Sequence, residues 1–298
     1  MSKTVAVGFS KFHGLGNDFI LANAHGLPNK MAALARSITD RHTGVGADGF
    51  IIVLPPRDKK NTARIRFFNA DGSEPEMSGN GIRCAAAFLL SAPKSRSTIR
   101  IETVAGTKTL RLLRASSHGW TFRVMMGAPI LEPSKIPFEG DNLPGPVVGY
   151  PLATNEGVFP VTVTSMGNPH CTVFVKNFAK INWTTVGREI ERCGHFPNRT
   201  NVEFVKVISR REIEVRFWER GVGVTNSSGT GSCGAVVACI LNGFTERKVR
   251  VRTVAGNLEI TWPEGGEVLL TGPVVRVARG TYFYPGGRSK PASGIKSR

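Results

Sequence analysis

Two serines carry the chemistry that the sequence suggests first. Ser78 precedes Gly79-Asn80-Gly81, and Ser228 precedes Gly229-Thr230-Gly231. Each Gly-rich turn opens an apolar segment that reads as a helix. A helix start of this kind leaves backbone N–H groups uncovered and carries partial positive charge. It therefore attracts a carboxylate or a developing oxyanion. Either serine alone is an ordinary N-cap. Two of them, in duplicated Gly-rich loops, point instead to two termini facing one small anionic ligand across a cleft between domains.

Further polar clusters are unusual for plain loops. They are His13-Gly14-Leu15-Gly16-Asn17-Asp18-Phe19, Asp40-Arg41-His42-Thr43-Gly44-Val45-Gly46-Ala47-Asp48-Gly49, Met166-Gly167-Asn168-Pro169-His170, Asn198-Arg199-Thr200-Asn201 and Glu219-Arg220-Gly221-Val222-Gly223. Their glycine spacing fits neither a dinucleotide fingerprint nor a phosphate loop. No lysine motif for a pyridoxal group stands out, and no cofactor is expected. The cysteines are Cys84, Cys171, Cys193, Cys233 and Cys239. Without a C-x-x-C pair they indicate neither a disulfide framework nor a zinc site, so buried reduced thiols and no metal are expected.

The elements that must position these residues are written twice. Arg66-Phe67-Phe68 returns as Arg216-Phe217-Trp218, Ser78-Gly79 as Ser228-Gly229, and Thr103-Val104-Ala105-Gly106 as Thr253-Val254-Ala255-Gly256. All share an offset of 150 residues in a chain of 298. The expected fold is α+β, with two pseudo-symmetric halves. Residues 1–126, completed by 275–298, form one half, and 127–274 the other, with the cleft between them. In each half a strand (Ala63 to Asn69; Glu212 to Trp218) leads through the Gly-rich loop into a helix (Gly81 to Ser91; Gly231 to Asn242). Strand pairs follow around Ala105-Gly106 and Ala255-Gly256. Cys84 to Leu90 and Gly234 to Leu241 carry no charge. Helices apolar all round are buried on every side, so each half should wrap a curved β-sheet barrel around its central helix. Outer helices are expected over Met31 to Thr39, with Asn29 as cap, and Trp183 to Cys193. The proline-rich stretch Pro129 to Pro151 reads as a crossover loop.

Composition limits the function classes. Hydrophobic residues make up 41% and charged residues 20%, enough for a real core. No apolar run suggests a membrane span. The N-terminus lacks the apolar stretch of a signal peptide, which points to the cytoplasm. The net charge of +17 raises nucleic-acid binding, an anionic substrate, or simply a solvated basic surface. The basic residues are scattered and form no nucleic-acid motif. Six of them follow Glu267, most in a C-terminal stretch that reads as a disordered tail. A small-molecule site without nucleic acid is the reading kept.

Taken together, KFHGLGNDF, DRHTGVGADG, FFNADGSEPEMSGNGIRC, TVAG, MGNPH, RTNVEF and WERGVGVTNSSGTGSC occur in order from Phe12 to about Gly280. The chain so resembles the diaminopimelate epimerase family of cofactor-independent amino-acid epimerases. The resemblance implies conversion of LL- to meso-2,6-diaminopimelate in lysine and peptidoglycan biosynthesis, an amino-acid substrate with two carboxylates, and a homodimer. It implies that two thiols on opposite faces of the α-carbon remove and return its proton, while the helix termini hold the carboxylate. It places substrate contacts at Asn17, Asn69, Gly79, Asn80, Asn168, Asn201, Glu219, Arg220, Gly229 and Thr230. His170 and Glu219 match positions that tune the thiols.

The chain departs from the family where it matters most. Both thiol positions are serine, Ser78 and Ser228, and a hydroxyl is a far weaker acid. The motifs offer no obvious base for it. Cys84 and Cys233 lie six and five residues further on. At the helical rise that is about 8–9 Å away, inside the helix packing. Three readings follow: an epimerase weakened or disarmed by the exchange, another isomerase or lyase on the same scaffold, or a non-catalytic amino-acid-binding homologue.

Overall fold

The computed structural model describes residues 4–285, except 76, 91–96, 118, 141, 142 and 144. The terminal stretch from residue 286 therefore lies outside the described residues, as does Ser91. The chain begins with β1 (Val5–Gly14), β2 (Asn17–Asn23), α1 (Met31–Thr39), β3 (Gly49–Leu54) and β4 (Ala63–Asn69). It continues through α2 (Gly79–Leu90), β5 (Thr98–Thr103), β6 (Gly106–Ala115) and β7 (Gly119–Gly127). The second series is β8 (Tyr150–Thr154), β9 (Gly157–Ser165), β10 (Pro169–Phe174), α3 (Trp183–Arg192) and β11 (Asn201–Ser209). It ends with β12 (Glu212–Glu219), β13 (Gly223–Thr225), α4 (Gly229–Leu241), β14 (Lys248–Thr253), β15 (Gly256–Thr261) and β16 (Val268–Tyr284).

The strands join in one sheet that curls twice. Strands β1 to β7 run in order to β16, and β16 pairs back onto β1, which closes an eight-stranded barrel. On its other side β16 leads through β15, β14, β12, β11, β10 and β9 to β8. The two series repeat their pairing. β2 is parallel to β3 as β10 is to β11, and β4 to β5 as β12 is to β14. A parallel pair needs a crossover, and each crossover here holds a helix. α1 and α3 pack on the outside, against separate apolar clusters. α2 and α4 lie inside and share one cluster. Their small residues, Ala85-Ala86-Ala87 and Gly234-Ala235, let a helix fit within so tight a sheet. Central strands such as Phe50–Val53 are buried on both faces, which explains their unbroken apolar runs.

Some boundaries differ from expectation. α2 and α4 begin at Gly79 and Gly229, directly after the serines, because each serine oxygen accepts from the third N–H beyond it. Lys30, not Asn29, occupies the cap of α1, and no side chain caps it. Asn29 serves through its backbone oxygen, which accepts from Met31. The proline-rich crossover includes a 3-10 turn at Pro133–Lys135 and buries Ile136, Phe138 and Val147 beside α3. Cys193 is only half-buried, whereas the other four cysteines are buried. No helix among the described residues is long and apolar enough to cross a membrane.

Candidate active site

The N-termini of α2 and α4 meet head to head. A methyl group at Gly79 would lie 3.1 Å from the Gly229 Cα, and one at Gly229 would lie 3.0 Å from the Gly79 Cα. Only glycine allows this approach without displacing backbone. Ser78 Oγ accepts from Gly81 N at 3.0 Å, and Ser228 Oγ from Gly231 N at 3.2 Å. Both serines and both termini line a cleft of about 1250 Å³.

The α2 side is held by a chain of hydrogen bonds. Asp48 Oδ2 accepts from Asn17 Nδ2 at 2.8 Å. Asn17 Oδ1 accepts from Asn80 Nδ2 at 3.3 Å, and Asn80 Oδ1 accepts from Arg83 Nη2 at 2.6 Å. Arg83 Nη1 donates to Gly79 O at 2.8 Å. Arg83 is fully buried, and burial lowers its pKa to about 10, so it remains a cation at neutral pH. Burial alone would raise the Asp18 carboxyl. Hydrogen bonds from Lys11, Arg41 and the Asp48 N–H outweigh it and hold Asp18 below its ordinary value. Arg41 also bonds Asp48 at 2.7 Å, which fixes the acceptor for Asn17.

The α4 side is different in kind. Glu219 lines the cleft and accepts from Thr225 Oγ1 at 2.6 Å. Burial pushes its carboxyl up, and hydrogen bonds from Thr225 and Ser228 pull it part of the way back. Glu219 thus stands beside Ser228 with its proton affinity raised. Below the first turn of α4, Glu203 Oε1 bonds His170 Nδ1 at 2.7 Å, and His170 Nε2 meets Asn168 Oδ1 at 3.0 Å. Burial pushes the Glu203 carboxyl up, and His170 offsets part of that shift.

The remaining sequence-selected residues gather here. Asn201 donates to Pro169 O at 2.9 Å and accepts from Arg220 N at 3.0 Å. Arg220 Nη1 reaches Asn198 O, and the rest of its exposed guanidinium is open to the cleft. Asn69 and Thr230 also line the cleft, although Asn69 donates to Ser73 within its own turn. His170 stands apart: it is fully buried and faces the cleft only through Asn168. Cys84 and Cys233 are fully buried in the helices, and burial pushes Cys84 up to about 12 and Cys233 higher. Residue reading gave no role to Arg83, Glu203 or Ser227, and it placed Asp48 in a polar cluster without assigning it a partner. Ser227 Oγ is buried at the cleft with no hydrogen-bond partner among the described residues. Only its place beside Ser228 hinted at it.

Two helix termini that face each other at one cleft, each capped by a serine, are an arrangement suited to a racemase or epimerase type of isomerase. The fold agrees. A hydroxyproline epimerase from Agrobacterium vitis, solved with trans-4-hydroxy-L-proline bound, superposes with a TM-score of 0.68 at 15% identity, over 96% of this chain and 94% of that one. The family model for diaminopimelate epimerase matches residues 9–132 and 162–277. Diaminopimelate epimerase of Pelotomaculum thermopropionicum is 47% identical over 280 residues, 93% of this chain and 99% of the relative. That of Moorella thermoacetica is 45% identical over 278 residues, 92% and 98% of the two chains. This chain belongs to the diaminopimelate epimerase family.

Proposed function

We propose that the cleft binds an amino acid with two carboxylates, of the 2,6-diaminopimelate type, and inverts its α-carbon between Ser78 and Ser228. The meeting of α2 and α4 at Gly79 and Gly229, with a serine capping each, carries this reading. A carboxylate seated over the junction receives N–H groups from both termini. Its α-carbon then lies between two hydroxyls. As the α-proton leaves, negative charge moves into the carboxylate, where the same donors stabilise it. On one face the C–H bond breaks, the proton passes to the Ser228 oxygen, and the hydroxyl proton passes to Glu219. On the other face Ser78 gives its proton to the carbanion and regains one from water, and the hydroxide so formed takes the proton that Glu219 received, which resets both faces. Arg220 suits the second carboxylate through its fork geometry. Asn17, Asn69, Asn80, Asn168, Asn201 and Thr230 supply further polar contacts.

The hydroxyl pair makes this a slow version of thiol chemistry. The five cysteines are free, which fits a reducing cytoplasm. We infer two lobes, residues 1–126 completed by β16 from residue 275 onward and residues 127–274, with the cleft between them, and a homodimer as the family resemblance implies. The test is α-proton exchange in D₂O with LL-diaminopimelate, followed by NMR. The chain should exchange slowly. Ser78→Cys with Ser228→Cys should exchange faster by about 10²–10⁴, the range that a well-matched acid–base group contributes. Exchange by neither protein overturns the reading. A thermal shift with the same ligand would then identify a binding protein.

A further inference from the structure

The two faces of the cleft are unequal in charge, and the inequality is built into the core. Arg83 lies in an apolar helix inside a closed barrel, fully buried. Its hydrogen bonds go to neutral groups, Gly79 O and Asn80 Oδ1, and its Nε has no partner among the described residues. No carboxylate among the described residues forms an ion pair with it. A cation so placed is costly unless some anion compensates it. Both of its acceptors belong to the first turn after Ser78, and Asn80 lines the cleft.

Among the described residues the Ser228 side has no such buried cation, since Arg220, which also lines the cleft there, is exposed to solvent. Glu219 stands there, and Glu203 lies beneath the first turn of α4, where a methyl group at Gly231 would be 2.8 Å from its Oε1. We propose that Arg83 makes the Ser78 side the face that holds negative charge, while Glu219 keeps the Ser228 side the face that holds the proton. A group that donates from the Ser78 position is left as an anion, and Arg83 is the charge that stabilises it. Arg83 is thus a positioning residue: it aims Asn80 and Asn17 and sets the field, without touching the reacting atoms.

Other charges around α2 do not undo this. Cys84 and Cys233 beside Arg83 are neutral thiols, because burial pushes both well up. Asp18 on β2 has its charge met by Lys11 on β1 and by Arg41. Arg100 on β5 turns to Asn61, Glu102 to the backbone of Arg57 and Asp58, and Arg123 on β7 to Thr271. Arg276 on β16 lies over Trp120. On the α4 side Thr225 is neutral, and His170 is tied to Glu203.

The inference rests on reading the cleft as a two-faced proton-transfer site, yet its test uses no substrate, so failure of one is distinguishable from failure of the other. Ser78→Cys and Ser228→Cys are made singly and alkylated with iodoacetamide across pH. Labelling at each position is followed by peptide mass spectrometry, with Cys193 as internal reference. Midpoints are compared rather than rates, because the two positions differ in access. The midpoint at position 78 should lie at least about one pH unit below that at position 228. Adding Arg83→Gln should raise the position 78 midpoint and leave position 228 unmoved, and Arg83→Lys should restore most of the difference. Equal midpoints, or a lower one at position 228, overturn the proposal. That comparison stands even if the Arg83 variants fold poorly.

Discussion

A serine hydroxyl takes part in proton transfer only where a neighbour relieves it of its proton. Glu219 is placed for that beside Ser228, and its own titration gives the role a measurable sign. Its folded-state pKa is raised above the ordinary 4.5. Folding therefore favours the protonated carboxyl. That contribution is complete below the unfolded value and is lost as pH rises through the raised one. Glu219→Gln keeps the Thr225 contact and removes the cost of ionising a buried carboxyl. Its melting temperature should exceed the parent's at about pH 8 and converge with it near pH 4. The parent's α-proton exchange should rise with pH through the same titration and vanish in the glutamine variant. A melting difference that does not change with pH would show that Glu219 does not titrate with folding. At this scale the duplicated Gly-rich loops made Ser78 and Ser228 legible, whereas the asparagines that line the cleft were named through the family resemblance. The sequence did not disclose Arg83, since a long basic side chain in a short apolar helix is ordinarily expected to reach solvent. Only the closed barrel around α2 prevents that.

Elements hold those residues at their positions, and α3 shows how. Glu191 on α3 is buried and accepts from Trp218 Nε1 at 2.8 Å and from Gly221 N at 2.9 Å. It thereby ties the outer helix to the turn that carries Glu219 and Arg220. Gly187 permits the contact, because a methyl group there would lie 2.9 Å from the Trp218 Cβ. Glu191→Ala strands the buried Trp218 Nε1–H and frees the partly buried Gly221 N–H. The expected loss is about 2–3 kcal/mol in urea unfolding, with a several-fold weaker affinity for a dicarboxylate amino acid by calorimetry as Arg220 loses its anchor. Glu191→Gln keeps acceptor capacity and should lose less of both. Equal losses from the two variants would assign the effect to charge rather than to the hydrogen bonds. The helices α2 and α4 were legible because uncharged helical runs have nowhere to go but inside. The cap of α1 and the burial of Ile136, Phe138 and Val147 were not. These depend on what the segments pack against, and turn propensity alone cannot convey that.

The whole molecule is a duplicated design that has become one body. The 150-residue offset already implied two similar halves around two apolar helices. What the repeat concealed is that β16 serves both, since besides its neighbour β15 it pairs with β1 and β7, far away in sequence. Strand pairing at that separation leaves no local trace. The consequence is thermodynamic. Removing β16 from either curved sheet exposes backbone groups and apolar side chains of the other. The shared cluster around α2 and α4 includes Phe122 and Val124 from one series of strands and Leu258 and Ile260 from the other. Neither series can lose its core while the other keeps it. Scanning calorimetry should therefore show a single transition, with the van't Hoff and calorimetric enthalpies equal and a total of about 200 kcal/mol near 60 °C. Two transitions, each with near half the enthalpy, would mean that the lobes fold apart and merely share a strand. A single one would mean that the head-to-head contact of Gly79 and Gly229 is held by the whole fold. Any loosening of one lobe would then open the site on both faces at once.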